Sequence, residues 1–261
     1  DLDLYLLTNR VFRPTLAAEI AAEAKLPSRI RKTREQLLAP NLTFEVEGHR
    51  FMAGQQDRLF RNDGYAQFVD VTDESGLKDA GNGLSVGWWD FDSDGHQDIY
   101  VANDFQSPDQ LYRNVGGGKF VDVTERRLPH TAFFGMGTDF GDINNDGMFD
   151  LCVADMSSTS HYMGKMLMGN MDQHRWFLMN SKPQQYMRNA LYVNTGTERF
   201  LEAAFMAGLA STDWTWTVRF ADFDEDGRQD YYATNGIPVF ADNPDIGNRV
   251  TKLWRERRHQ A

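Results

Sequence analysis

Apolar residues gather in short runs, each closed by Asn, Asp or Gly. Ile99-Tyr100-Val101-Ala102-Asn103, Leu151-Cys152-Val153-Ala154-Asp155 and Tyr231-Tyr232-Ala233-Thr234-Asn235 are too short for helices and predict β-strands. A second set alternates: Leu59-Phe60-Arg61-Asn62, Leu111-Tyr112-Arg113-Asn114 and Leu191-Tyr192-Val193-Asn194. Each leads past Gly64, Gly116 or Gly196 to a returning run, Phe68-Val69-Asp70-Val71-Thr72, Phe120-Val121-Asp122-Val123-Thr124 or Phe200-Leu201-Glu202. An alternating strand, an Asn/Gly turn and a returning strand predict a β-hairpin. Gly-rich runs at 84–89, 133–140 and 216–221 predict one further strand in each unit.

Between the Gly-rich strand and the apolar strand lies one polar stretch, written three times. Asp90-Phe91-Asp92-Ser93-Asp94-Gly95-His96-Gln97-Asp98 is matched by Asp142-Ile143-Asn144-Asn145-Asp146-Gly147-Met148-Phe149-Asp150 and by Asp222-Phe223-Asp224-Glu225-Asp226-Gly227-Arg228-Gln229-Asp230. The distance from each hairpin Leu to the next stretch is constant at 31 residues, 59 to 90, 111 to 142 and 191 to 222. From the last Asp to the next hairpin Leu it is 13 residues between 98 and 111, 41 between 150 and 191, and 56 between 3 and 59. The basic unit is therefore 52 residues, with insertions of 28 and 43 residues at one equivalent place. A period of this length with about four strands per unit predicts an all-β chain built of β-propeller blades. Two complete blades are expected, 84–124 and 133–203, between two partial ones, so that residues 1–261 form one propeller segment whose ring needs further blades. In an up-and-down blade successive connections alternate between ends. The polar loops and hairpin turns then share one face, and the insertions project from the other.

The polar loops carry the chemistry. Oxygen-bearing side chains fall at positions 1, 3, 5 and 9, with Gly at position 6, which suits a hard divalent cation needing six to eight oxygens around a sharp turn. Position 7 is His96, Met148 or Arg228, which share no side-chain chemistry and point to a backbone carbonyl ligand. The candidate ligands are thus Asp90, Asp92, Asp94, His96 and Asp98; Asp142, Asn144, Asp146, Met148 and Asp150; and Asp222, Asp224, Asp226, Arg228 and Asp230. Asp1 and Asp3 read as the remainder of a truncated fourth site, with Asp3 at position 9 and Leu4 to Leu7 as the following strand. An EF-hand is excluded, because position 12 is Val101, Val153 or Ala233 rather than Glu and no helix follows.

Charge supports this assignment. The net charge is −11, and the three loops carry −4, −3 and −4, so the rest of the chain is neutral. No general nucleic-acid surface is expected. A single cysteine, Cys152, forbids an intrachain disulfide, and no apolar run reaches membrane-spanning length.

The first insertion, about 11–57, predicts helices over 15–25 and 28–38, the second rich in arginine, then a hairpin of 42–46 with 49–52. Asn41-Leu42-Thr43 is a glycosylation sequon. The second, about 156–184, holds Met156, Met163, Met166, Met168, Met171 and Met179, which suit either an adaptable surface or packing of an irregular loop. Residues 243–261 predict a helical extension. Trp88-Trp89 suits either sugar stacking or packing between blades.

The Asp-x-Asp/Asn-x-Asp-Gly-x-x-Asp loops, with Phe134-Gly135-Met136-Gly137 before one of them, resemble FG-GAP or VCBS repeats, the blades of integrin α-subunit propellers. The Leu-Tyr-Arg-Asn and Phe-Val-Asp-Val-Thr hairpins are similar to the bacterial and cartilage-acidic-protein-like branch. The resemblance covers about 1–9, 58–155 and 185–240. It implies a seven-bladed propeller, Ca2+ in the polar loops (three sites complete and one truncated), and an extracytoplasmic protein used in adhesion or recognition. Its partner would be a protein or glycan on the face opposite the calcium loops, with further chains possible as completion of the ring. The alternatives are a propeller-type polysaccharide lyase or hydrolase, and a scaffold subunit. No catalytic constellation is evident, so a non-enzymatic role is expected.

Overall fold

The computed structural model describes residues 3–7, 43–46, 49–52, 54, 56–65, 67–78, 81–167, 171, 174–236 and 249. The predicted helices of the first insertion, the sequon asparagine, Asp1 and the extension at 250–261 lie outside the described residues. Two four-stranded antiparallel sheets form the centre. One runs Gly83–Trp89, Asp98–Asn103, Gln110–Asn114, Phe120–Asp122; the other runs Thr138–Gly141, Asp150–Val153, Ala190–Val193, Leu201–Glu202. A three-stranded sheet of Leu4–Leu6, Arg58–Asn62 and Phe68–Asp70 comes before them. After them, Asp213–Ala221 pairs with Asp230–Asn235 on one edge and Met156–Ser157 on the other. In every unit consecutive strands are hydrogen-bonded neighbours. The chain is all-β, and its sheets are the blades of a β-propeller.

The second strand of each unit explains the stacking. After its leading Asp it is mostly apolar, and it is wholly buried in Asp98–Asn103 and Asp150–Val153, so both faces must be covered. Ile99 and Val101 pack toward the preceding sheet with Tyr5, Leu59 and Phe120. Tyr100 and Ala102, on the opposite face, pack toward the next with Leu151, Val153 and Tyr192. Cys152 and Ala154 repeat this one unit later, against Val218. A period of two thus links each blade to both neighbours. Trp89 lies within one of these interfaces, stacked on Phe140 at 4.1 Å, while Trp88 meets Tyr5 and Phe120 edge-on, each at 6.2 Å. For Trp89 the packing role applies. Cys152 is fully buried, and burial pushes its thiol up to about 12.

The strand expected over 133–140 is regular only at Thr138–Gly141. Upstream, the backbone weaves between neighbours: the Gly135 amide donates to the Asn103 carbonyl and the Met136 amide to the Ala154 carbonyl, both at 2.9 Å. The glycines permit this approach. A Cβ on Gly135 would lie 2.8 Å from the Asn103 carbonyl oxygen, and one on Gly137 would lie 2.6 Å from that of Trp216. The strand expected at 216–221 begins at Asp213, with an irregularity between Thr215 and Thr217.

Each Asp-Val-Thr ends a fourth strand in a short helical turn, Thr72–Ser75 or Thr124–Arg127. The threonine hydroxyl is a relay. Thr124 Oγ1 accepts from the Leu111 amide at 2.8 Å and donates to Asp122 Oδ1 at 2.6 Å; Thr72, Leu59 and Asp70 do the same. Thr124→Val keeps the shape and leaves the buried Leu111 amide without its acceptor. It is expected to cost about 1–3 kcal/mol in denaturant unfolding.

In the first insertion the expected hairpin is present, Thr43–Val46 against His49–Met52. The second insertion opens by adding Met156–Ser157 to the last sheet, then forms helices His161–Leu167 and Arg175–Asn180. It closes with Gln185–Tyr186 lying parallel to Thr131–Ala132. Met156 and Met171 pack against the core, whereas Met179 is exposed.

Candidate metal centre

The three polar loops fold alike. Position 4 is left-handed in each, at Ser93 (φ 58°), Asn145 (57°) and Glu225 (61°), and position 6 is the glycine with φ near 85°. This turn brings two backbone amides to the first carboxylate. Asp90 accepts from the Asp94 amide at 3.1 Å and the Gly95 amide at 2.8 Å; Asp142 and Asp222 accept the equivalent pairs. The carboxylate at position 5 then takes the position 7 amide, His96, Met148 or Arg228, each at 2.9 Å. Backbone, not side chain, therefore fixes position 7, which is why three dissimilar residues serve there.

Position 9 ties the loop to the rest of its blade. Asp98 Oδ2 accepts from the Phe91 amide at 3.0 Å, and Oδ1 accepts from the Asn114 amide of the third strand at 2.7 Å. Asp150 does the same with Ile143 and Asn194. Asp3 Oδ1 accepts from the Asn62 amide at 2.9 Å, the same link in the first unit. Burial pushes Asp98 and Asp150 up to about 6, their acidic loop neighbours adding to the effect and their amide donors opposing it.

The geometry brings together carboxylate oxygens of Asp90, Asp92 and Asp98, all within 4.8 Å of one another, and likewise those of Asp222, Asp224 and Asp226. Ca–O distances of about 2.3–2.6 Å separate two ligand oxygens by up to roughly 5 Å, so both clusters could hold a metal ion. Asp92 Oδ1 is buried with no hydrogen-bond partner among the described residues, an oxygen that a cation would satisfy. The other oxygen of Asp92, with Asp94 Oδ2, is held by the Arg113 guanidinium. The middle loop lacks such an acidic triple among the described residues. Asn144 Nδ2 donates to Asp146 Oδ2 at 2.9 Å, so this side chain brings a donor where the other loops bring charge.

A second polar feature lay outside the sequence expectations. Two residues before each hairpin Leu stands Asp57, Asp109 or Asn189, a constant offset that a search on the Leu motif would have found. Asp109 accepts from the Asn103 amide at 2.8 Å, the Tyr100 hydroxyl at 2.6 Å and the Ala132 amide at 3.3 Å. Asn189 Oδ1 accepts from the Asp155 amide at 2.7 Å, and Asp57 Oδ2 from the Tyr5 hydroxyl at 3.1 Å. These links close each blade at the end away from the polar loops. Asp155 Oδ2 in turn takes the Phe133 and Phe134 amides.

Burial pushes the Asp109 and Asp155 carboxyls up to about 7, against the pull of these donors. A carboxyl held above its unfolded value of about 4 binds its proton more tightly in the folded state. Its contribution is thus full below about pH 4, is lost as pH rises to about 7, and is constant above. Asp155→Asn mimics the protonated form. Wild-type stability minus variant stability is expected to fall across this range when unfolding is followed by urea at several pH values.

His130 is buried and held by a polar group. Its Nε2 meets Arg188 Nη2 at 2.8 Å, and Arg188 Nη2 also reaches Glu202 Oε2 at 3.1 Å. His174 Nδ1 meets Gln106 Nε2 at 3.0 Å, joining the second insertion to the preceding blade.

A family model described as FG-GAP-like repeat matches residues 90–153 and 176–233, segments that contain all three polar loops. Those two segments are FG-GAP-like repeats. No curated protein matches it. Among solved structures, one titled for specific recognition of non-reducing terminal N-acetylglucosamine by an Agrocybe aegerita lectin is similar over 72% of this chain and 44% of that one, at 15% identity and a TM-score of 0.38. The chain thus spans less than half of that structure's length. Among the described residues, no helix is long and apolar enough to cross a membrane.

Proposed function

We propose that residues 1–261 form one calcium-stabilised propeller segment that recognises an extracytoplasmic protein or glycan, with calcium in a structural role. The observation that carries this reading is the separation of two ends. At one end the polar loops lie against the hairpin turns, through Arg113 on Asp92 and Asp94 and Asn114 on Asp98. At the other, the connection from second to third strand carries the insertions, anchored by Gln185 Nε2 to the Phe105 and Ala132 carbonyls at 3.0 and 2.9 Å. Calcium braces the first end and leaves the second free to vary its loops for recognition.

A binding role suits the carboxylates better than catalysis. Asp109 and Asp155 are buried and engaged by backbone amides, and His130 is engaged by Arg188. Replacing residues 158–184 with a short connection copied from 104–109 tests the reading. Binding on a glycan array, or to an extracellular protein ligand, should be lost while the calcium-dependent melting shift persists. Retained binding would place recognition elsewhere.

A further inference from the structure

Phe91 stands between two candidate ligands, Asp90 and Asp92, and is held at three points. Its amide donates to Asp98 Oδ2 of its own loop at 3.0 Å. Its side chain is 4% exposed, with the ring 6.0 Å from that of Phe200 in the following blade. Its carbonyl accepts from Asn194 Nδ2, also in the following blade, at 2.7 Å. Among the described residues this is the one hydrogen bond from the 90–98 loop to that blade.

Asn194 is equally committed. It is buried at the end of the third strand, where its backbone amide donates to Asp150 Oδ1 at 2.7 Å. Its Oδ1 accepts from the Gly196 amide at 3.1 Å, which turns its Nδ2 toward the preceding loop. Hydrogen bonds thus run unbroken from Asp98 through Phe91 and Asn194 to Asp150, from one polar loop to the next. Beside this path, Asp92 and Ser93 line a cavity of about 200 Å³ with Met148 and Thr197 of the following blade. Packing does not hold that side of the loop, so the Phe91 carbonyl is its fixed point.

We infer that Asn194 is a positioning residue for the cation site of the preceding blade. It touches no ligand oxygen of that site. It sets the peptide between Phe91 and Asp92, from which the Asp92 carboxylate projects. The inference rests on the proposed calcium reading and adds that the site in the 90–98 loop is completed from the neighbouring blade. Outer partners of this kind orient the ligands, and their loss typically weakens metal binding by about tenfold or more. Coupling of binding is reciprocal, so the ion in turn fastens the two blades together.

Calcium titration calorimetry of the 261-residue chain tests this with Asn194→Ser. Serine keeps an oxygen for the Gly196 amide but is too short to reach the Phe91 carbonyl. One site should weaken by about tenfold, with the others unchanged. Two backgrounds assign that site. With Asp146→Asn, which cripples Asn194's own loop, the tenfold loss should remain. With Asp92→Asn, which cripples the preceding loop, Asn194→Ser should add nothing. Uptake unchanged by Asn194→Ser would overturn the inference while leaving the calcium reading intact. A loss that persists beside Asp92→Asn, or that falls on all sites alike, would also overturn it by showing a purely structural role. A wild-type chain that takes up no calcium would remove the calcium reading itself, and this inference with it.

Discussion

Chelation of divalent cations is expected to lower the melting temperature of this chain by on the order of 10 °C or more. A ligand bound only by the folded state stabilises it by about 2.7 kcal/mol per site at a hundredfold excess over Kd, and roughly 1 kcal/mol moves a chain of this size by about 2–4 °C. Two features enlarge the effect. Each loop confines three or four net negative charges within nine residues, so the ion-free state carries their repulsion. Among the described residues, Asp92 Oδ1 also finds no donor, a buried oxygen that a cation would satisfy. The loops should not contribute equally. Arg113 already offsets Asp92 and Asp94 in the first, and Asn144 lowers the charge of the second. The third, with Asp222, Asp224 and Asp226 all exposed and no guanidinium on them among the described ion pairs, should depend most on the ion. Asp224→Asn should therefore lose more of the calcium-dependent shift than Asn144→Ala, as read by differential scanning calorimetry in calcium and in chelator.

Asp150→Ala should destabilise the chain by about 1–3 kcal/mol even in chelator, chiefly because the buried Asn194 amide loses its acceptor, the half-buried Ile143 amide adding less. The prediction separates two duties of position 9. Part of the loss, the part common to both conditions, belongs to the link between the loop and the third strand. The remainder, seen only in calcium, belongs to the cation. Asp230→Ala should show mainly the second part, since its described amide partner is Phe223 alone and that loop is exposed. Urea unfolding of both variants in the two conditions makes the comparison.

What the sequence showed, and what it hid, follows from range. A polar loop is decided within nine residues by Gly at position 6 and oxygens at alternate positions, so all three were legible. The hairpins, closed by Asn-Gly turns, were legible for the same reason. The insertion end was not. Asp109 reaches Ala132, and Gln185 reaches Phe105 and Ala132, contacts that close only when neighbouring blades stack. The run at 133–140 stands where the other units place a Gly-rich strand before the polar loop, but close backbone approach to two neighbours overrode that pattern. Trp88 and Trp89 are adjacent in sequence and face opposite blades, so no composition argument could divide their roles. The short parallel pairing of Thr131–Ala132 with Gln185–Tyr186 spans the whole second insertion and left no local signature.

On the proposed reading, the stability of this chain rests on cations in the repeated loops. Isothermal titration of the chelator-treated chain with calcium addresses them directly. Saturable uptake at the three loops of each chain is predicted, with Asp92→Asn and Asp224→Asn each removing or weakening one site. A chain that takes up none at millimolar calcium, and melts at the same temperature with and without it, would contradict a structural role for the ion.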